Sequence, residues 1–186
     1  MEHTEQIFDE DFYLTFENIL SGEDFNEPIA DIVELICNRE LTRENLKKAL
    51  SEHQIDRVES MKDDLLDLVL VYIDYVLKDY IITDNEKRNV EFLKKYFKIK
   101  EGDFYNRKYY EVEQVLHRQF EKLYFDNNIS PQEAEYNFNL QDMFDLSCDQ
   151  FDRFKGDEIC RALDRGASIL NLDVSAYPKG YCKKDS

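Results

Sequence analysis

Four carboxylates stand out for what their spacing could do. Asp79 and Glu86 are separated by the same interval as Asp126 and Glu133. The two pairs recur at a 47-residue shift, in the segments Asp79-Tyr80-Ile81-Ile82-Thr83-Asp84-Asn85-Glu86 and Asp126-Asn127-Asn128-Ile129-Ser130-Pro131-Gln132-Glu133. If the two turns faced each other, four oxygen donors would meet, a set suited to a hard divalent cation such as Ca²⁺ or Mg²⁺. The glutamates also have a simpler use. Each stands three residues after Thr83 or Ser130, the spacing of a capping box, in which hydroxyl and carboxylate satisfy backbone N–H groups at a helix start. The segment around Asp126 lacks the ligand spacing and central glycine of an EF-hand loop.

Other chemistry-bearing residues are more scattered. His117 lies between Glu113 and Glu121 at helical spacing, a ridge able to hold a transition metal. It falls opposite the stripe Val112, Val115, Leu116 and Phe120, so an exposed polar face is expected there. Cys148 lies at a helix start, where the dipole lowers a thiol pKa, with no histidine nearby in sequence. Tyr105, Tyr109 and Tyr110 sit among Arg107 and Lys108 as a candidate aromatic–basic patch. The five glycines are too dispersed for a phosphate-binding loop. No nucleophile arrangement emerges, and no catalytic residue is assigned; the chain is not expected to be an enzyme.

The elements that must position these residues are helical. With five glycines and three prolines in 186 residues, too few breakers exist for the many turns of an all-β protein. Apolar spacing predicts helices over 5–20, from Asn26 and from Thr42, then a helix apolar nearly all round over 60–78, hence a buried one. Thr83 opens the next, followed by a long helix over 103–125. Ser130 with Pro131 and Glu133 opens another, and Ser147 with Gln150 the last, with a kink or stop at Gly156. The expected fold is an all-α single domain of about eight helices. Residues 1–59 form an acidic N-terminal part packed on a core over 60–170, and 171–186 a loose tail.

Shifting the chain by 47 lays 63–104 on 110–151. Asp79/Asp126, Ile82/Ile129, Glu86/Glu133, Leu93/Leu140, Phe97/Phe144 and Phe104/Phe151 are identical pairs, placed at the turn, the cap and the core face. A looser third copy begins at Asn38-Arg39-Glu40-Leu41-Thr42. Duplicated helix units pack their apolar faces together. The pattern Asp-x-x-Ile-Ser/Thr-x-x-Glu, twice between helices, resembles the TerB-like family of bacterial tellurite-resistance and stress-response proteins, a group that includes the amino-terminal domain of DnaJ-like co-chaperones. The resemblance covers about 60–151. It implies two pseudo-repeated helix units and a non-enzymatic role near membranes, metals or envelope stress. The family's usual glycine after the turn aspartate is Tyr80 in one copy and Asn127 in the other.

Charge narrows the function classes. The net charge is −17, so direct binding to nucleic-acid phosphates is not expected. Residues 1–40 hold twelve acids and one base, Arg39, whereas 87–108 are locally basic. Asp9, Glu10, Asp11, Glu23 and Asp24 are the candidate docking acids for a partner with a basic surface; alternatively, the two charged regions serve each other or the solvent. Cys37, Cys148, Cys160 and Cys182 show no CxxC spacing. The N-terminus has no apolar signal core. The apolar run Leu65 to Leu77 is interrupted by Asp67 and Asp74 and is too short to span a bilayer. The expectation is a soluble, reduced, cytoplasmic protein that binds rather than catalyses, a TerB-like interaction module with a divalent cation as a possible ligand. The alternative is an acidic inhibitor or immunity protein facing a basic toxin or nuclease.

Overall fold

The structure, a computed structural model, describes residues 8–172. All regular structure among them is helical: α1 (Glu10–Gly22), α2 (Glu27–Cys37), α3 (Arg43–Glu52), α4 (Lys62–Val76), α5 (Asp84–Tyr96), α6 (Asp103–Arg107), α7 (Tyr109–Leu123), α8 (Pro131–Met143) and α9 (Cys148–Asp164), with 3₁₀ turns at Val58–Met61, Leu77–Asp79 and Ile169–Asn171.

Helix starts follow from the capping side chains. Asp9, Asn26, Thr42, Thr83, Ser130 and Ser147 stand in extended conformation, each accepting a hydrogen bond from the backbone N–H three residues on. The last three are completed as capping boxes by Glu86, Glu133 and Gln150.

Helix ends pose a harder problem in a glycine-poor chain, because the usual stop needs a left-handed residue. Arg39, Gln54, Lys98 and Asp145 take that conformation despite their Cβ atoms, with φ of 60°, 60°, 57° and 50°; Gly166 makes the same kind of stop without a Cβ. At each, two bonds close the helix end in a Schellman arrangement. Ile99 N reaches Lys94 O while Lys98 N reaches Lys95 O, and Leu146 N reaches Gln141 O while Asp145 N reaches Asp142 O.

The chain divides into two compact units, Met1–Lys78 with Thr83–Lys100, and Asp79–Ile82 with Glu101–Ser186. Most of the first repeat copy lies in the first unit, whereas its turn Asp79–Ile82 and its last residues from Glu101 on belong to the second, with the whole second copy. In the first unit α4 is central and packs against α1, α2 and α5. Its residues Leu65, Leu66, Leu68, Val69 and Ile73 are fully buried, as the near-continuous apolar pattern requires. In the second unit α7 packs against α6 and α9, burying Val112, Leu116 and Phe120.

The repeat extends to details the residue identities did not reveal. Tyr80 and Asn127, equivalent by the 47-residue shift, share a left-handed φ of 62°. Lys98 and Asp145 are likewise equivalent. In the first copy Asn89 Nδ2 donates to the Tyr72 hydroxyl at 3.2 Å, both side chains buried; in the second the Tyr136 hydroxyl donates to Gln119 Oε1 at 2.8 Å. Gln119 is equivalent to Tyr72 and Tyr136 to Asn89, so the same bridge is built with the partners exchanged. The third copy holds at the turn: Arg39 lies three residues before its cap Thr42, as Tyr80 does before Thr83.

Several expected boundaries shift. α4 starts at Lys62, behind the 3₁₀ turn Val58–Met61 and without a side-chain cap, not at residue 60. The stretch 103–125 is two helices, parted where Lys108 leaves helical geometry (φ −129°, ψ 36°). Gly156 is buried inside an unbroken α9; an interior glycine costs about 1 kcal/mol against alanine but does not end a helix already held by packing. The start of the expected tail is fixed: Asn171 O accepts from Ile129 N at 2.8 Å and Leu172 is buried. The rest of that tail, and residues 5–7 of the first expected helix, lie outside the described residues.

Two stability effects follow. Gln54→Gly removes the left-handed strain at an exposed position and raises the unfolding free energy by about 1 kcal/mol, read as a higher urea midpoint. Tyr136→Phe strands buried Gln119 and lowers it by roughly 1–3 kcal/mol, with Gln119→Leu in the same chain restoring most of the loss.

Candidate functional site

The four carboxylates are held by their own turns. Asp79 Oδ1 accepts from Ile81 N at 2.8 Å, and Asp126 Oδ1 from Asn128 N at 3.0 Å. Glu86 Oε2 accepts from Thr83 N at 2.7 Å, and Glu133 Oε2 from Ser130 N at 2.8 Å. Each copy thus repeats the same pair of bonds, an Asx turn followed by a capping box. Among the described residues no group of three or more His, Cys, Asp or Glu side chains is placed to hold a metal ion. Asp79, Glu86, Asp126 and Glu133 each make a backbone contact within their own turn.

The remaining candidates have structural partners. His117 Nε2 lies 3.4 Å from Glu121 Oε1 on a partly exposed face. Cys148 is exposed, with Gln141 Nε2 at 3.6 Å from its sulfur. Burial pushes the Cys37 and Cys160 thiols above their ordinary pKa, assisted by nearby acids, the opposite of an activated nucleophile. The Tyr105 hydroxyl accepts from Arg153 Nη1 at 3.1 Å, and Tyr109 lies 4.9 Å from the Phe154 ring. Of the three tyrosines in the patch only Tyr110 is exposed, at 73%, and Arg107 is exposed beside them. His3 and Cys182 lie outside the described residues.

The candidate docking acids separate into two groups. Asp9 caps α1 through Oδ1 and accepts from Asn85 Nδ2 at 2.8 Å through Oδ2. Glu10 receives both its bonds from Arg39 Nη2 at 2.6 and 2.7 Å, and this pairing raises the Arg39 pKa. Asp11, Glu23 and Asp24 are exposed around the two ends of α1. Part of the acidic excess therefore serves the fold, and part faces solvent. One base of the stretch 87–108 is likewise used inside the first unit: Lys98 Nζ donates to Glu59 Oε1 at 2.7 Å and holds that carboxyl below its ordinary pKa.

The second unit contains a feature not anticipated from sequence. Tyr80, Ile81 and Ile82 line one side of a groove of about 400 Å³ completed by Leu123 and Tyr136. It adjoins a hollow of about 530 Å³ at Phe125 and Asp126, which shares Tyr80, Lys122 and Glu133 with it. Lys122 Nζ lies 3.2 Å from the centre of the Tyr80 ring, a cation–π contact. Ile81 is 61% and Phe125 82% exposed. The sequence signal was present in Tyr80 and Ile81: bulky apolar residues occupy a turn where glycine and polar residues are the usual occupants.

No protein-family model, curated protein or solved structure matches the chain.

Two results check that the four carboxylates are turn and cap ligands. Thr83→Ala and Ser130→Ala each lower stability by about 1 kcal/mol. Added Ca²⁺, Mg²⁺ or Zn²⁺ leaves the melting temperature unchanged, whereas a cation bound only by the folded chain would raise it.

Proposed function

We propose that the chain is a non-catalytic, TerB-like interaction module of the bacterial cytoplasm that docks a protein partner with a basic surface. The observation that carries this reading is the charge: −17 over 186 residues, with Asp11, Glu23 and Asp24 exposed about α1. Such a surface speeds encounter with a basic partner and disfavours acidic ones. The duplicated turn supports the family resemblance, because its Asx bond, left-handed residue and capping box recur together. Those residues serve backbone geometry, and burial raises the hydroxyl pKa of Tyr72, a core residue bonded to Asn89. Among the described residues no helix is long and apolar enough to cross a membrane.

The triple variant Asp11→Lys, Glu23→Lys and Asp24→Lys tests this reading. The wild-type chain is expected to retain a basic protein from a lysate of its source cells at low salt and to release it as ionic strength rises, since exposed charges are screened within about 10 Å at 0.1 M salt. The triple variant is expected to lose that protein while keeping its circular dichroism. Undiminished retention by the variant contradicts the reading.

A further inference from the structure

We infer that the groove of Tyr80, Ile81 and Ile82 in the second unit is the docking site for an amphipathic, basic helix of a protein partner. Its apolar residues would seat between Ile81 and Phe125. This rests on the reading of the chain as an acidic interaction module and gives it a location that the exposed acids about α1 do not.

Three observations carry it. The first is exposure. Ile81 and Phe125 leave most of their surface in water beside Leu123 and Tyr136, which are buried. Large apolar side chains clustered at a groove mark interaction sites more often than singly scattered ones do.

The second is the residue placed at the turn. Tyr80 holds φ at 62°, a conformation that is a genuine outlier for a bulky residue and costs roughly 1–2 kcal/mol relative to right-handed geometry. Glycine would make the same turn without that cost. The strained tyrosine instead supplies a ring to the groove, with Lys122 over it. The same turn is made at Asn127 with a smaller polar side chain; what distinguishes Tyr80 is that its ring lines the groove.

The third is charge. Glu121, Asp126, Glu133 and Glu135 line the groove and its adjoining hollow, against Arg118 and Lys122. The local excess is acidic, and so is the whole chain at −17. A second copy of this chain would bring two strongly negative bodies together. A helix with an apolar face and lysine or arginine flanks matches both features, and the helix-in-groove mode needs only a few apolar anchors at helical spacing.

The experiment titrates the ¹⁵N-labelled chain with a synthetic amphipathic helical peptide of leucine and lysine, with a leucine–glutamate peptide of the same pattern as control. Expected are amide shifts confined to Tyr80–Ile82, Lys122–Asp126 and Tyr136. Ile81→Asp is expected to weaken binding by more than about tenfold, and Phe125→Asp, at a still more exposed position, to weaken it in the same direction. Both variants should keep the wild-type spectrum away from the groove. Equal binding of the leucine–glutamate peptide, absence of binding, or unchanged affinity in both variants overturns the proposal. Shifts gathered instead at Asp11, Glu23 and Asp24 overturn the groove but leave the acidic docking reading standing, and loss of partner retention in the α1 triple variant alone points the same way.

Discussion

The need to stop helices without glycine is the constraint on which the rest of the structure depends. A helix leaves its last carbonyls unpaired, and the economical cure is one residue turned left-handed so that the following N–H groups fold back onto them. This chain has five glycines, and among the described residues Gly166 is the one used in that way; Arg39, Gln54, Lys98 and Asp145 do the same work with side chains attached. At Tyr80 and Asn127 the left-handed residue serves a second purpose. It turns the chain so that Thr83 or Ser130 arrives extended, three residues later, and can cap the next helix. Stop, turn and start are thus one local unit, reused along the chain.

That unit explains why two copies with few identical residues keep the same geometry. Outside the turn, the copies need only an apolar face and one buried polar bridge between the paired helices. The bridge tolerates exchange of partners because a phenol hydroxyl and a side-chain amide can each donate or accept: Tyr72 with Asn89 in one copy, Gln119 with Tyr136 in the other. An unpaired member would carry the full penalty of a buried polar group. The likeness lies in the pair, so comparing single residues across the shift understates it.

Much of this was readable beforehand, for identifiable reasons. Asn26, Thr42, Thr83, Ser130 and Ser147 named their helix starts because a cap is a local interaction between residues three apart. The burial of α4 followed from its apolar circumference. Other features depend on more than local pattern. Lys108 breaks 103–125 into two helices with no glycine or proline to signal it. Gly156 carries a strong breaker signal that packing within α9 overrides. The division into two units near residue 100 is set by tertiary contacts, and no run of loop-forming residues marks it. For the site, Asp79, Glu86, Asp126 and Glu133 drew attention by charge and spacing, yet the structure uses them on the backbone. Tyr80 and Ile81 were visible only as departures from the glycine expected in a turn, and their meaning depends on Lys122, Leu123 and Tyr136, about 40 to 55 positions away in sequence.

The central claim is that backbone bonds make the turns while the Tyr80 ring serves the surface, and equilibrium unfolding of Tyr80→Gly beside Asn127→Gly tests it most directly. Replacing Tyr80 relieves left-handed strain and gives up the contact with Lys122, terms of about 1 kcal/mol each and opposite in sign. Replacing Asn127 relieves strain and removes a buried side-chain oxygen that has no hydrogen-bond partner. The account predicts urea transitions that stay cooperative, with Tyr80→Gly within about 1 kcal/mol of wild type and Asn127→Gly at or above it. A loss of several kcal/mol in Tyr80→Gly, on the scale of emptying a core position, would show that the ring holds the fold together and would contradict the account.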